Sequence, residues 1–516
     1  MRTARLLGAI GLAVTLAGGA GAQSLRIGFD TEWTSIDPHF HSFPHNLSIS
    51  HHVFDALIGT DAQLRLVPGL ATSWRAIDAK TWEFKLRPGV KFHDGADFGA
   101  EDVAATLARI PKVPNSPGPI TTFTRPITSW QVVDPHTIRL VTNEPSPILL
   151  EMLTNVYIVP RHLAEATTEQ FNAGKATIGT GPYRFVEWSR GARLTLERND
   201  AYWGTKASWP RVEIRILTNT AAREAALLSR DVDFILSPST ISLERLSKDP
   251  NIAVHKAPST RITYLQFNQG TEILPDLKGT DGRNPFADPR VRKAVSMAIP
   301  REAIAERIMD GLSLPAGQLI APGQFGHNPA IKIERYDIDG ARKLLAEAGW
   351  AKGFEVALAT PSDRNVNGTK IAETIAGSLT RIGIKTTVAA VPLNVYIAEW
   401  RKGRYSFYMH GAGPPPSASL LVPQLGATKD MAKAMGVSNE SFYSNLKLDA
   451  VIRAGMEQVD NAAREKLLFQ AAEMIRDDTA VISLHYEAVV WASRKDLTFE
   501  GRSDGRSHAM EILPRR

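Results

Sequence analysis

Two adjacent residues in TWEFKLRPGVKFHDG (residues 81–95), His93 and Asp94, are of the types that move protons in acid/base catalysis. A catalytic base and the group that orients it must hydrogen-bond side chain to side chain. Just before them, Trp82, Phe84 and Leu86 alternate with Glu83, Lys85 and Arg87, the period of a half-buried strand. Pro88-Gly89 suits a type II turn, and residues 90–92 are then expected to form a return strand. A His93 that continues this strand points to the face opposite Asp94. The pair is therefore expected to be scaffold, with Asp94 as a turn former.

Other chemical motifs fail on context. GRSDG (residues 501–505) matches G-x-S-x-G, but a nucleophile elbow needs a strand before it, a helix after it and partners downstream. Only eleven residues follow Gly505, and the one histidine among them is His508. Replacing Ser503 by alanine is expected to change neither ligand affinity nor any turnover. GTGPY (residues 179–183) lacks the Lys-Ser/Thr ending of a phosphate loop, and no H-E-x-x-H occurs. The absence of cysteine excludes disulfides, thiol nucleophiles and Cys-ligated zinc. No enzyme activity and no cofactor is expected.

One loop is unusual in composition. Five of the thirteen histidines (His39, His41, His45, His51 and His52) fall within fourteen residues. Imidazoles so close together could ligate a metal or a metal chelate, or could cap helices and bond backbone groups. No carboxylate stands at a recognised metal spacing, which favours the second reading, so no metal site is assigned.

The elements that must position these residues read as an α/β chain. The first 22 residues have Arg2 and Arg5, an apolar run from Leu6 to Leu16 and an Ala20-Gly21-Ala22 ending. This is the pattern of a secretory signal peptide cleaved after Ala22. A leader without a following cysteine implies a protein that is not lipid-anchored, which suits the periplasm. The formal charge of +6 over 516 residues is dispersed, with no basic run to receive nucleic acid. This length implies two or more cores. SLRIGF (residues 24–29) reads as a first strand, and SHHVFDALIG as a helix with Val53, Leu57 and Ile58 on one face, ending at Gly59. AEDVAATLARI reads as a helix with Val103, Leu107 and Ile110 buried. RLTLER and VEIRIL alternate as strands, whereas DPRVRKAVSMAI and DIDGARKLLAEAGW have helical spacing. FEVALAT, TKIAETIAGSLTRIGI and KTTVAAVP form a strand–helix–strand unit.

GLATSWRAIDAKTWEFKLRPGVKFHDGADFGAEDV, followed by IGTGPYRFVEWSRGARLTLERNDAYWG, YLQFNQG and FYSNLKLDAVI in that order, resembles the family 5 solute-binding proteins. These are the extracytoplasmic receptors of peptide and nickel ABC importers. The resemblance implies a two-lobed α/β periplasmic-binding-protein-like fold with mixed sheets and hinged lobes. It also implies a monomer that captures a small solute, a peptide by family default, and hands it to a membrane permease. By this resemblance lobe I is 23–261, with an extra subdomain at about 56–178, and lobe II is 262–480. Residues 481–516 return to complete lobe I, and the hinge lies near 264–268 and 482–485. The candidate ligand contacts are Trp33, Ser35, His39 and His41 in the first loop, Asn268 at the crossover, His410 and Gly411 in lobe II, and Tyr486 on the return. Peptide-binding members carry a tryptophan and an aspartate in the segment matching YSFYMHGAGPPPSASLL, the aspartate pairing with the peptide ammonium. Gly411 and Pro414 stand in those places here, and no acidic residue lies between His410 and Lys429. That departure leaves open a non-peptide solute such as a glycoside, an opine-like compound or a metal chelate.

Overall fold

The computed structural model describes residues 24–515 except 271–272, 363 and 413–416. The expected leader, its cleavage site and Pro414 lie outside the described residues. Among those described, no helix is long and apolar enough to cross a membrane.

Strand β1 (Ser24–Phe29) alternates Leu25, Ile27 and Phe29 into the first core. An antiparallel sheet follows, built from β2 (Ala71–Ala76), β3 (Thr81–Leu86), β4 (Ile127–Asp134) and β5 (Thr137–Thr142) in the order β2-β3-β5-β4. The chain then supplies β6 (Tyr183–Ser189), β7 (Arg193–Arg198), β8 (Arg211–Ile216) and β9 (Phe234–Leu236). Strand β1 runs parallel to both β8 and β9.

A 16-residue strand, β10 (Ile252–Phe267), leads into the second half of the chain. There β11 (Phe354–Pro361), the helix Gly368–Thr380 and β12 (Ile384–Val391) form the expected strand–helix–strand unit, parallel from Phe354↔Ile384 to Pro361↔Val391. Strand β13 (Phe407–Ala412) lies parallel to β11, and β14 (Ile482–Arg494) runs back antiparallel to β10. One mixed sheet takes in both halves, through the order β11-β13-β10-β14-β9-β1-β8-β7-β6. The largest core draws on residues before 258 and after 490, whereas two others draw on residues 262–486.

Three local expectations are corrected. The helix written in SHHVFDALIG is Pro44–Val53, so Leu57 and Ile58 lie beyond it. Pro44 presets the first turn, while the carbonyls of Ala56 and Leu57 are taken by the amides of Leu70 and Ala71. Residues 90–92 do not return along β3, whose neighbours are β2 and β5. They fold onto the next turn instead, where Phe98 N donates to Val90 O and Phe92 N to Ala96 O, with Gly95 at φ +92°. Glu83, expected in solvent, is buried because Arg75 and Arg139 on the flanking strands both pair with its carboxylate.

Candidate functional site

His93 and Asp94 part company as expected. His93 Nε2 donates to Gly181 O at 2.9 Å, and its Nδ1 accepts from Gly179 N at 3.3 Å. Asp94 instead pairs with His162 at 2.8 Å. Burial pushes the His93 imidazole down to about 4, so it stays neutral. The GTGPY loop it holds is packed on the end of the helix Pro44–Val53, where Gly181 N donates to Val53 O. Thr180 Oγ1 donates to the buried Asp55 carboxylate at 2.9 Å. The turn at His93 and the GTGPY loop are thus tied to one another and to the first helix by internal hydrogen bonds.

The first loop turns inward. Trp33 is buried edge-on against Phe29, with ring centroids 5.7 Å apart. Ser35 Oγ donates to Asn172 Oδ1 and accepts from Asp37 N. His39 accepts from Arg109 NH1 at 2.7 Å and donates to Tyr157 O at 2.8 Å. Burial first, and then the nearby Arg109 charge, hold it down at about 4. Arg109 also grips Asp37 bidentately at 2.9 and 2.7 Å, a buried pair whose rupture costs about 3–5 kcal/mol. His41 bonds Thr34 and stacks on Phe43. Thr34, Phe40, Arg109 and Asn172 line a cavity of ≈470 Å³ here. Among the described residues, no three His, Asp or Glu side chains are placed to hold a metal.

Parallel strands leave their ligand sites at their carboxyl ends. In the first half those ends are the loops after β1, β8 and β9. Arg223 ties two of them together, donating to Leu217 O at 2.6 Å and to Leu236 O and Ser237 O at 2.8 Å. In the second half the corresponding loops follow β11 and β13. Between the two sets run β10 and β14, which bring Arg261, Thr263 and Glu487 together. Arg261 Nε lies 3.2 Å from Glu487 Oε2, and Thr263 Oγ1 donates to Oε1 at 3.5 Å. Although Arg261 Nε is within ion-pair distance, it is not aligned for a hydrogen bond. Burial raises the Glu487 pKa, and Arg261 opposes that shift. A cavity of ≈350 Å³ opens on this cluster, lined by Ser237 and Ser503 from one half, Leu312 and Val366 from the other, and Arg261 and Glu487 between them.

The remaining candidates are not among the residues that line this cavity. Gly411 packs against the loop after β11: a Cβ there would stand 2.8 Å from Asn365 Oδ1, and its carbonyl accepts from Arg364 NH2 at 3.1 Å. His410, the preceding residue, lies parallel to Trp400 at 4.7 Å and to Tyr396 at 5.5 Å. Burial pushes its imidazole down to about 3. The Tyr486 hydroxyl is engaged at 2.7 Å with both Gln318 O and Ile320 O. Asn268 Oδ1 closes a local turn on Gly270 N. Arg223, Arg261, Arg364, Asn365 and Glu487 were not singled out from sequence. The available signal was the polar SDRN that follows the strand FEVALAT at its carboxyl end.

The family model for bacterial extracellular solute-binding proteins, family 5, matches residues 65–431. The chain belongs to that family. Among curated relatives, the glutathione-binding protein GsiB of Pectobacterium atrosepticum is 27% identical over 488 residues, covering 92% of this chain and 91% of its own. The dipeptide-binding protein of Escherichia coli is 26% identical over 461 residues, covering 84% and 83%. HbpA2 of Haemophilus parasuis superposes with a TM-score of 0.83 at 22% identity, covering 96% of this chain and 100% of that one. The fold of this family 5 protein is thus that of the two-lobed binding proteins.

Proposed function

We propose that this chain is the solute receptor of an ABC importer. It would work as a freely diffusing periplasmic monomer, taking a small peptide or peptide-like solute between its lobes and passing it unaltered to a membrane permease. The supporting observation is the cavity on Arg261 and Glu487, whose walls come from both halves of the chain and whose floor is the pair of connecting strands. A gap of that kind closes on a solute and buries most of its surface. The separate cores on either side of residues 258–262 and 486–490 support lobes divided near those positions. The names of the curated relatives support a peptide-like solute. A micromolar affinity, about −8 kcal/mol, is ample for scavenging.

A thermal-shift panel of dipeptides, tripeptides, glutathione, glycosides and nickel chelates tests the reading. A true solute raises the melting temperature in proportion to the logarithm of its concentration above Kd. Consumption of the solute by purified protein, or a flat response to every class, refutes it.

A further inference from the structure

Away from the cavity the two halves of the chain meet again. Glu151, on the helix Leu149–Leu153, sets its carboxylate against the other half. Its Oε2 accepts from Ser417 Oγ at 2.7 Å, and its Oε1 lies 3.5 Å from Arg464 NH2. Among the described residues, nothing else bonds or pairs with that carboxylate. Arg464 is only 2% exposed and lies over Phe325, with its guanidinium 4.7 Å from the ring centroid. Its Nε and NH1 have no hydrogen-bond partner. Val459, in the turn before the helix Asn461–Asp477 that carries Arg464, packs on the largest core. A Cβ on Gly323, two residues before Phe325, would stand 4.0 Å from Gln63 Cγ. None of these residues lines the cavity on Arg261 and Glu487.

Parting the halves would break both contacts of Glu151 and return it and Arg464 to water. Burial of such a pair costs nearly as much as its attraction gains, and here two guanidinium nitrogens stay unsatisfied. The contact can therefore hold the halves together without locking them. Loss of the carboxylate alone is a different case, because the joined arrangement would then bury an unpaired charge.

We infer that Glu151, Ser417 and Arg464 form a latch outside the cleft, which sets the fraction of receptor that is closed and so scales its affinity for every solute by one common factor. Only the closed fraction holds solute, so a change in that fraction multiplies each apparent Kd by the same number. This inference rests on the receptor reading above. It makes Glu151 a positioning residue, acting through closure and not on the solute.

Isothermal titration of dialanine, trialanine and glutathione into the parent and variants, each below its melting temperature, tests the latch beside X-ray scattering. Glu151→Gln is expected to weaken every solute that the parent binds by a common factor of at least five, with their ratios unchanged. Its solute-free radius of gyration should exceed the parent's, and saturating solute should remove the difference. Ser417→Ala should act in the same direction by two- to threefold. The double variant Glu151→Gln with Arg464→Met buries no unpaired charge and is expected to recover the parent affinities to within threefold. A purely structural role predicts a lower melting temperature with Kd and scattering unchanged, and that result overturns the latch. So does a loss that differs from solute to solute or persists in the double variant. A parent that binds none of the three counts against the receptor reading, and scattering alone then decides the latch.

Discussion

His93 and Gly181 are 88 positions apart, yet the imidazole of one donates to the carbonyl of the other at 2.9 Å. The same ring accepts from Gly179, so it staples the turn after β3 to the loop before β6. His93→Ala should leave two buried backbone groups short of a partner and cost about 1–3 kcal/mol. Urea denaturation measures this. A solute affinity unchanged at low denaturant is the second expectation, because the clamp touches no cavity residue.

The glycines in that loop are sterically fixed. A Cβ on Gly179 would lie 2.0 Å from the carbonyl oxygen of Val53. Gly179→Ala is expected to destabilise the protein by at least about 2 kcal/mol through overpacking. Gly377, with open space around its Cβ position, is the control. At this exposed helical site the same substitution should be neutral or stabilising.

Acid should loosen the fold through its buried imidazoles. His39, His52, His93 and His485 are each held down at about 4, chiefly by burial. Their folded values lie below the unfolded value near 6.5, so the unfolded chain binds more protons as pH falls from 7.5 to 5.5. The stability they confer is complete above about pH 7.5, falls away as pH drops through 6.5, and goes on falling down to about 4. Burial raises the pKa of Glu151, Glu487 and Glu511, whose proton uptake in the folded state partly opposes this loss. The urea midpoint is expected to fall between pH 7.5 and 5.5; a midpoint that rises would contradict this account.

Glu151 reaches across the halves of the chain. It accepts from Ser417 Oγ at 2.7 Å and lies 3.5 Å from Arg464, whose side chain is almost wholly buried. Glu151→Gln removes the charge that faces Arg464. It is expected to lower stability by about 3 kcal/mol, the order found when a buried pair loses one member. In X-ray scattering the solute-free variant should show a larger radius of gyration than the parent if this contact draws the halves together.

Tyr486 is expected to act as a brace. With its hydroxyl on Gln318 O and Ile320 O, Tyr486→Phe should lower stability by about 1–2 kcal/mol. Titration should show no change in solute affinity.

Periodic segments were the legible part of this chain. The strand–helix–strand unit of residues 354–391 was readable because its apolar spacing changes from two to helical and back within one local stretch. Contacts between distant segments left no such trace. Glu83 looked solvent-facing because both arginines that bury it come from other strands. The union of Asp37, His39 and Arg109 spans about seventy positions, and no local pattern announces it. Residue type pointed to the histidines of the first loop, but folding spent both ring nitrogens of His39 on internal partners. Buried polar atoms without a partner occur on His41 of that loop and also on ordinary-looking Arg364 and Asn365.

The pairing of β10 with β14 slips between Pro258 and Ile262 and again between Thr263 and Tyr264. A regular ladder resists flexure along its whole length, whereas a slip drops rungs and gathers compliance into a few residues. Arg261 sits inside the first slip, opposite the stretch that carries Glu487. The Arg261 guanidinium therefore projects from a stretch where the two connecting strands are not laddered together.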